Sequence, residues 1–194
     1  MGRSIASGAC HRVRRILVGW MCAMGAGACA AGGDTPGAPL ALLAMNVSIN
    51  HSAAYVDDRS TWGTLDRWAT PDELAARGAG DCEDFAIAKY FRLRRAGIPA
   101  AQLRIAYVEL QPVEGALRAR HMVLAWLPPD GEPGAELILD NLLDAVRPLS
   151  RRPDLHVLIS FNSDGIWPGL ARGAPARQAR QITRWAQVLD RVGP

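Results

Sequence analysis

The sequence predicts an α+β protein in which the start of one helix packs against an antiparallel sheet. Three observations predict it. Gly80-Asp81-Cys82-Glu83-Asp84-Phe85-Ala86 reads as a helix start, with a cysteine between carboxylates and an apolar, regularly spaced run behind it. Leu103 to Leu110, Met122 to Leu127, Glu136 to Leu139 and Leu155 to Phe161 read as strands. The links between them are short, which favours antiparallel pairing, because a parallel pair needs a long crossover.

The chain has 194 residues, 49% of them hydrophobic, enough for the core of a single domain. Its first thirty residues fit a secretory signal: a basic stretch ending at Arg15, an apolar run from Ile16 to Met24, and Ala28-Cys29-Ala30 as an Ala-x-Ala cleavage site. The apolar run is short for a membrane span. An uncleaved anchor is the alternative, and a lipid anchor at Cys29 is disfavoured because no leucine stands three residues before it. The domain reading is therefore a signal peptide over 1–30, a spacer and short N-terminal segment over 31–45, and one catalytic domain over 46–194.

The formal charge of +3 comes from the leader. Arg3, Arg12, Arg14 and Arg15 meet no acid there, and without them the balance is 3 − 4 = −1. A body so weakly charged lacks the basic footprint of a nucleic-acid-binding protein. The cysteines divide in the same way. Cys10, Cys22 and Cys29 fall in the leader, so cleavage after Ala30 leaves Cys82 alone. A single cysteine forms no internal disulfide and is either an idle buried thiol or a reactive one.

Along the mature chain, Gly32 to Pro39 reads as a spacer and Leu40 to Met45 as a short apolar run. A helix is expected from Asn46 through Val56. Thr70-Pro71-Asp72-Glu73 has the form of a capping box, with Thr70 as N-cap, Pro71 at the first helical position and Glu73 at the third; Gly78 and Gly80 end that helix. In the next helix Asp81 is the expected N-cap, and Glu83 and Asp84 complement the dipole. Cys82, Ala86, Tyr90 and Leu93 share its buried face, widened by Ile87 and Phe91, while Lys89, Arg92, Arg94 and Arg95 face water. Gly97 and Pro99 stop it. At the end of the chain, Ile182, Trp185, Val188 and Leu189 fall at helical spacing and predict an amphipathic helix.

Cys82 carries a local conflict. Unpaired N–H groups and the dipole at a helix start favour a thiolate and offer donors to an oxyanion. The carboxylates of Glu83 and Asp84 disfavour it, so a positive group must offset them. Of four histidines, His121 opens a predicted strand. Asp140 closes the next one, and antiparallel pairing makes His121 and Asp140 neighbours. A cysteine on a helix start with such a His–Asp pair is a nucleophile–base–orienter set. Each residue also has a plain structural reading: a buried apolar thiol, a surface histidine, a turn aspartate. Asp81 and Glu83 admit two readings as well, helix capping or a hard-cation site of oxygen ligands better suited to calcium than to zinc, with both side chains pointing away from Cys82. Trp62 and Trp68 read as aromatic core before cleft lining.

The chain resembles a known family, the bacterial transglutaminase-like cysteine proteinases, or LapG-type periplasmic proteases. The likeness runs from Asn46-Val47 and Asn50 through Trp62-Gly63, Trp68-Ala69-Thr70-Pro71 and the block from Gly80 to Tyr90. It continues through Leu93-Arg94, Gly97-Ile98-Pro99, Leu103-Arg104, Tyr107-Val108, His121 to Ala125, Leu139 to Leu142 and Ser160-Phe161-Asn162. The resemblance implies a papain-like, transglutaminase-type α+β fold and a triad falling on Cys82, His121 and Asp140. It implies calcium (Ca2+), with Asp81 and Glu83 as ligands. It also implies a periplasmic enzyme that cuts a large surface adhesin near its N-terminus, after a di-alanine-type motif, and so controls biofilm attachment. An inner-membrane receptor for a cyclic dinucleotide would sequester the enzyme, and a monomer is expected. A transglutaminase, with an amine as acyl acceptor, and a non-catalytic binding module of the same fold are the alternatives. Family members carry a longer apolar helical segment before the Asn-Val motif, where this chain has only Leu40 to Met45.

Overall fold

The computed structural model describes residues 38–111 and 119–193. The predicted leader and nearly all of the spacer lie outside them. The first element is one helix, α1 (Ala38–Asn50), rather than an apolar run followed by a helix from Asn46. Leu42, Asn46 and Ile49 recur at helical spacing on its buried side. Asn46 belongs there because its amide donates to the carbonyls of Leu143 (2.8 Å) and Asp144 (2.9 Å). Ala54 and Tyr55 form a two-residue strand, β1, instead of continuing the helix; it pairs in parallel with β2 (Ala79–Gly80).

Two short helices follow, α2 (Asp58–Trp62) and α3 (Pro71–Arg77). The capping box at Thr70 forms as expected: Glu73 N–H donates to Thr70 Oγ1 at 3.2 Å and Thr70 N–H to Glu73 Oε2 at 2.8 Å. Helix α4 (Cys82–Arg95) starts on the predicted residue. It ends in a Schellman motif, with Ile98 N–H on the Leu93 carbonyl and Gly97 N–H on that of Arg94. Gly97 takes φ 94°, which a residue with a Cβ rarely adopts.

The sheet has six strands in the order β6-β5-β4-β3-β7-β8, every pair antiparallel. They are β3 (Leu103–Leu110), β4 (Ala119–Trp126), β5 (Leu137–Asp140), β6 (Leu143–Pro148), β7 (Leu155–Phe161) and β8 (Ile166–Pro168). Four of these, β3, β4, β5 and β7, are the strands expected from the apolar runs of the sequence. The edge strands β6 and β8 escape that expectation because β6 alternates weakly and ends in proline, while β8 has only three residues. The closing helix α5 (Thr183–Val192) buries Trp185 and Val188 as expected.

One face of the sheet packs against α4 through Leu103, Ile105, Met122, Leu124 and Leu139, which meet Ala86, Ile87, Tyr90 and Leu93. The other face holds a second cluster around Ala106, Val108, Val123, Ala125 and Ile138. Helix α4 is therefore central rather than amphipathic. Its far side, at Phe85 and Ala88, packs against Ile49 of α1 and Leu74 of α3. This placement corrects the expectation for Lys89, which is 1% exposed and does not face water. Burial pushes its ammonium down to about 7, against the pull of Asp140 and Asp144.

Candidate active site

Cys82 occupies the first helical position of α4, half-buried. Gly80 lets the chain enter that position: a Cβ there would stand 2.5 Å from Asp84 Oδ2 and 2.8 Å from Leu74 Cδ1. Asp81 is the N-cap of α4 by position. Asp84 does the local tying. Its buried carboxylate accepts from the N–H groups of Asp81 (3.3 Å) and Ala69 (2.6 Å), fastening the helix start to the chain segment that carries Trp68. Burial raises Asp84 to about 7.

The pairing of β4 with β5 sets Leu124 opposite Leu139, which puts His121 and Asp140 at the same end of the two strands. Their side chains meet: His121 Nε2 and Asp140 Oδ1 are 2.8 Å apart, and both residues are buried. Asp140 Oδ1 also accepts the Leu142 N–H at 3.0 Å, and Oδ2 accepts from Arg152 Nη2 at 2.8 Å. Burial works against the charge of Asp140, but the His121 bond and charge, the Leu142 N–H and Arg152 outweigh it and hold the carboxyl at about 2.

Cys82 and His121 line one cleft of about 430 Å³, walled by Trp68, Tyr107, Ile159 and Phe161, with Arg120 and Arg184 at its polar edges. Trp68 is both cleft and core, stacked on Phe161 with ring centroids 5.6 Å apart. Trp62 does not line this cleft; its ring packs against the guanidinium groups of Arg67 and Arg77, 4.4 and 5.1 Å from its centroid.

Glu83 departs from expectation. Its carboxylate does not point away from Cys82: the Cys82 thiol donates to Glu83 Oε2 at 3.1 Å. Burial pushes the thiol pKa up, and the charges of Glu83 and Asp81 push it further, against a smaller opposite effect of the Met122 backbone. The conflict seen in the sequence persists in the fold: among the described residues, the side-chain hydrogen bond of the sulfur runs to a carboxylate.

Asp81 and Glu83 are joined by an acid that sequence reasoning missed. Ligand oxygens of Asp58, Asp81 and Glu83 all lie within 4.8 Å of one another. Asp58 is not the N-cap of its helix; one oxygen accepts the Arg67 N–H and the other, buried, has no partner among the described residues. Asp81 Oδ1 is likewise buried and unpaired. Burial, then the charge of Glu83, raises Asp81 to about 9. Three crowded carboxylates with two orphaned oxygens fit a hard cation with oxygen ligands, calcium above all. The Asp57-Asp58 pair was visible in the sequence, but an acid on a separate helix has no spacing relation to Cys82. Arg152 was missed for the same reason.

The comparisons agree with this geometry. The family model for bacterial transglutaminase-like cysteine proteinases matches residues 21–170. Solved structures of LapG from Legionella pneumophila are similar over most of both chains. A calcium-bound form is 36% identical with a TM-score of 0.66, covering 79% of this chain and 80% of that one. An EGTA-treated form is 36% identical with a TM-score of 0.66, covering 79% and 78%. A third LapG structure is 35% identical with a TM-score of 0.64. No curated protein matches.

Proposed function

The chain belongs to the bacterial transglutaminase-like cysteine proteinases, and from that membership we propose that it is a calcium-dependent periplasmic cysteine endopeptidase working through Cys82, His121 and Asp140. One observation carries the reading: Cys82 at a helix start and His121, bonded to the Asp140 carboxylate, line the same cleft.

With Asp140 ionised, the Nε2 of His121 keeps its proton and donates it, which leaves the lone pair on Nδ1. Nδ1 takes the Cys82 proton, and the thiolate adds to a peptide carbonyl. The carbonyl π pair moves to oxygen, where backbone N–H groups at the start of α4 stabilise it. Collapse breaks the C–N bond, and the imidazolium returns its proton to the departing amine. Water then gives a proton to His121 and attacks the thioester, releasing the carboxylic product and the thiol. Asp58, Asp81 and Glu83 would hold calcium, which when bound supplies positive charge beside the nucleophile. The likeness to a calcium-bound LapG supports that assignment.

The substrate in this reading is the N-terminal region of a large cell-surface adhesin, whose release lowers biofilm attachment. An inner-membrane cyclic-dinucleotide receptor would sequester the enzyme. The test is cleavage of an adhesin N-terminal fragment by the mature chain, with calcium and then with a chelator, beside a folded Cys82→Ala variant. Two fragments that need both calcium and Cys82 support the proposal. Turnover by Cys82→Ala overturns the nucleophile, and turnover in chelator overturns the calcium requirement.

A further inference from the structure

We propose that Arg152 is a positioning residue: it pins the Asp140 carboxylate on the His121 ring, and Asp154 cancels the charge that this pinning introduces. The inference rests on the triad proposed above. The Asp140 carboxylate is fully engaged, with His121 and the Leu142 N–H on Oδ1 and Arg152 Nη2 on Oδ2. Rotation of the carboxylate would break all three bonds, so the oxygen on His121 is set from the opposite side by Arg152.

Arg152 is itself held. It is 6% exposed and sits just past the turn Leu149–Arg151, between β6 and β7. Asp154 accepts from its Nε at 2.9 and 3.1 Å and from its Nη2 at 2.7 Å. Nη1 is buried and has no partner among the described residues, so the guanidinium is placed to reach two carboxylates at the expense of one donor. A lysine offers a point charge and cannot reproduce this fork.

The charge count gives Asp154 its part. Asp140 touches His121 directly, while Arg152 stands on the far oxygen and opposes the pull of Asp140 on an imidazolium. With Asp154 the three sum to one negative charge, which an imidazolium at His121 neutralises. Among the described residues, Lys89 of α4 also feels the charge of Asp140, and Asp144 of β6 acts on Lys89 in the same way. Cys82, Glu83 and Arg120 share the cleft with His121.

The test measures alkylation of Cys82 by iodoacetamide at neutral pH, and the titration of the His121 ring by nitrogen NMR, on the calcium-supplemented full chain. Arg152→Met slows alkylation near neutrality on the order of a hundredfold, the scale of a misplaced catalytic group, and Arg152→Lys recovers only part of it. Asp154→Asn leaves Arg152 in place but makes His121 lose its proton at lower pH, a shift that a purely structural role would not produce. Wild-type alkylation and His121 titration in a folded Arg152→Met, or an unshifted His121 in Asp154→Asn, overturns the inference. His121→Gln separates the two levels. If it alkylates as wild type, the triad fails and the inference falls with it. If it is impaired while the Arg152 and Asp154 variants are not, the role of Arg152 alone fails.

Discussion

The Cys82 thiol donates a hydrogen bond to the carboxylate of its own neighbour, Glu83, at 3.1 Å. The contact keeps the proton on sulfur, because a thiolate there would face the Glu83 charge directly. Glu83 also belongs to the acid cluster with Asp58 and Asp81. It therefore stands between the nucleophile and the candidate cation site, and its substitution reads out on both. With calcium removed, Glu83→Gln is expected to alkylate at Cys82 at least about tenfold faster than wild type near neutrality, the equivalent of one pKa unit. An unchanged rate would show that burial alone raises the thiol.

Calcium is expected to stabilise the fold. At a hundredfold excess over Kd, binding to the native state alone adds about 2.7 kcal/mol, a rise in Tm on the order of 5–10 °C for a chain of this size. Asp58→Asn should remove most of that rise, because it deletes one of the three clustered carboxylates. The rise should also shrink as pH falls, since protons compete for Asp81, raised to about 9 without the ion. Differential scanning calorimetry with calcium and with chelator checks both.

Asp140 makes stability depend on acid. Its folded value of about 2 lies below the ordinary 3.8, so the carboxylate favours the folded state above the unfolded value. That contribution, about 2 kcal/mol, is lost as pH falls from about 4 to about 2. Asp140→Asn should flatten the denaturant midpoint over that window; an unchanged acid limb would remove the charge argument.

Lys89 works in the alkaline direction. Its folded value of about 7 lies below the ordinary 10.5, so the ammonium opposes folding at neutrality, and stability should grow as pH rises from about 7 toward 10.5. Lys89→Met fills the same space without the charge. It is expected to raise stability near neutrality on the order of 2 kcal/mol and to abolish the alkaline gain. A destabilised variant would mean that the attraction to Asp140 and Asp144 exceeds the cost of burial.

Gly80→Ala tests the entry to the nucleophile helix. The added methyl meets Asp84 and Leu74 at under 3 Å, and overpacking of this kind costs about 1–3 kcal/mol. Because Asp84 also holds the Ala69 N–H, the variant should lose Cys82 reactivity as well as Tm. Loss of stability alone would separate the two roles.

The comparison of sequence and structure is clearest at individual residues. Helix α4 was legible because its start and stop are local: the glycine and acids around Cys82, then Gly97 and Pro99. The capping box at Thr70 was legible for the same reason, and β3 by its apolar alternation. Lys89 was misplaced because helical periodicity reports one buried face, whereas α1, α3 and the sheet bury α4 on several sides. Helix α1 was expected only from Asn46, because that polar residue ends the apolar run Leu40 to Met45; in the fold Asn46 lies mid-helix and its amide satisfies two carbonyls of β6.

The sequence by itself determined which residues could be nucleophile, base and orienter, because chemistry belongs to residue type and strand pairing follows from short links. It also determined that acids crowd the nucleophile. The tertiary structure decided what that crowding does: Glu83 turns onto the thiol, Asp58 arrives from a separate helix, and Arg152 closes on Asp140 from behind. These contacts join residues that share no period or motif along the chain. They depend on where independent elements meet in space, which local propensity does not encode.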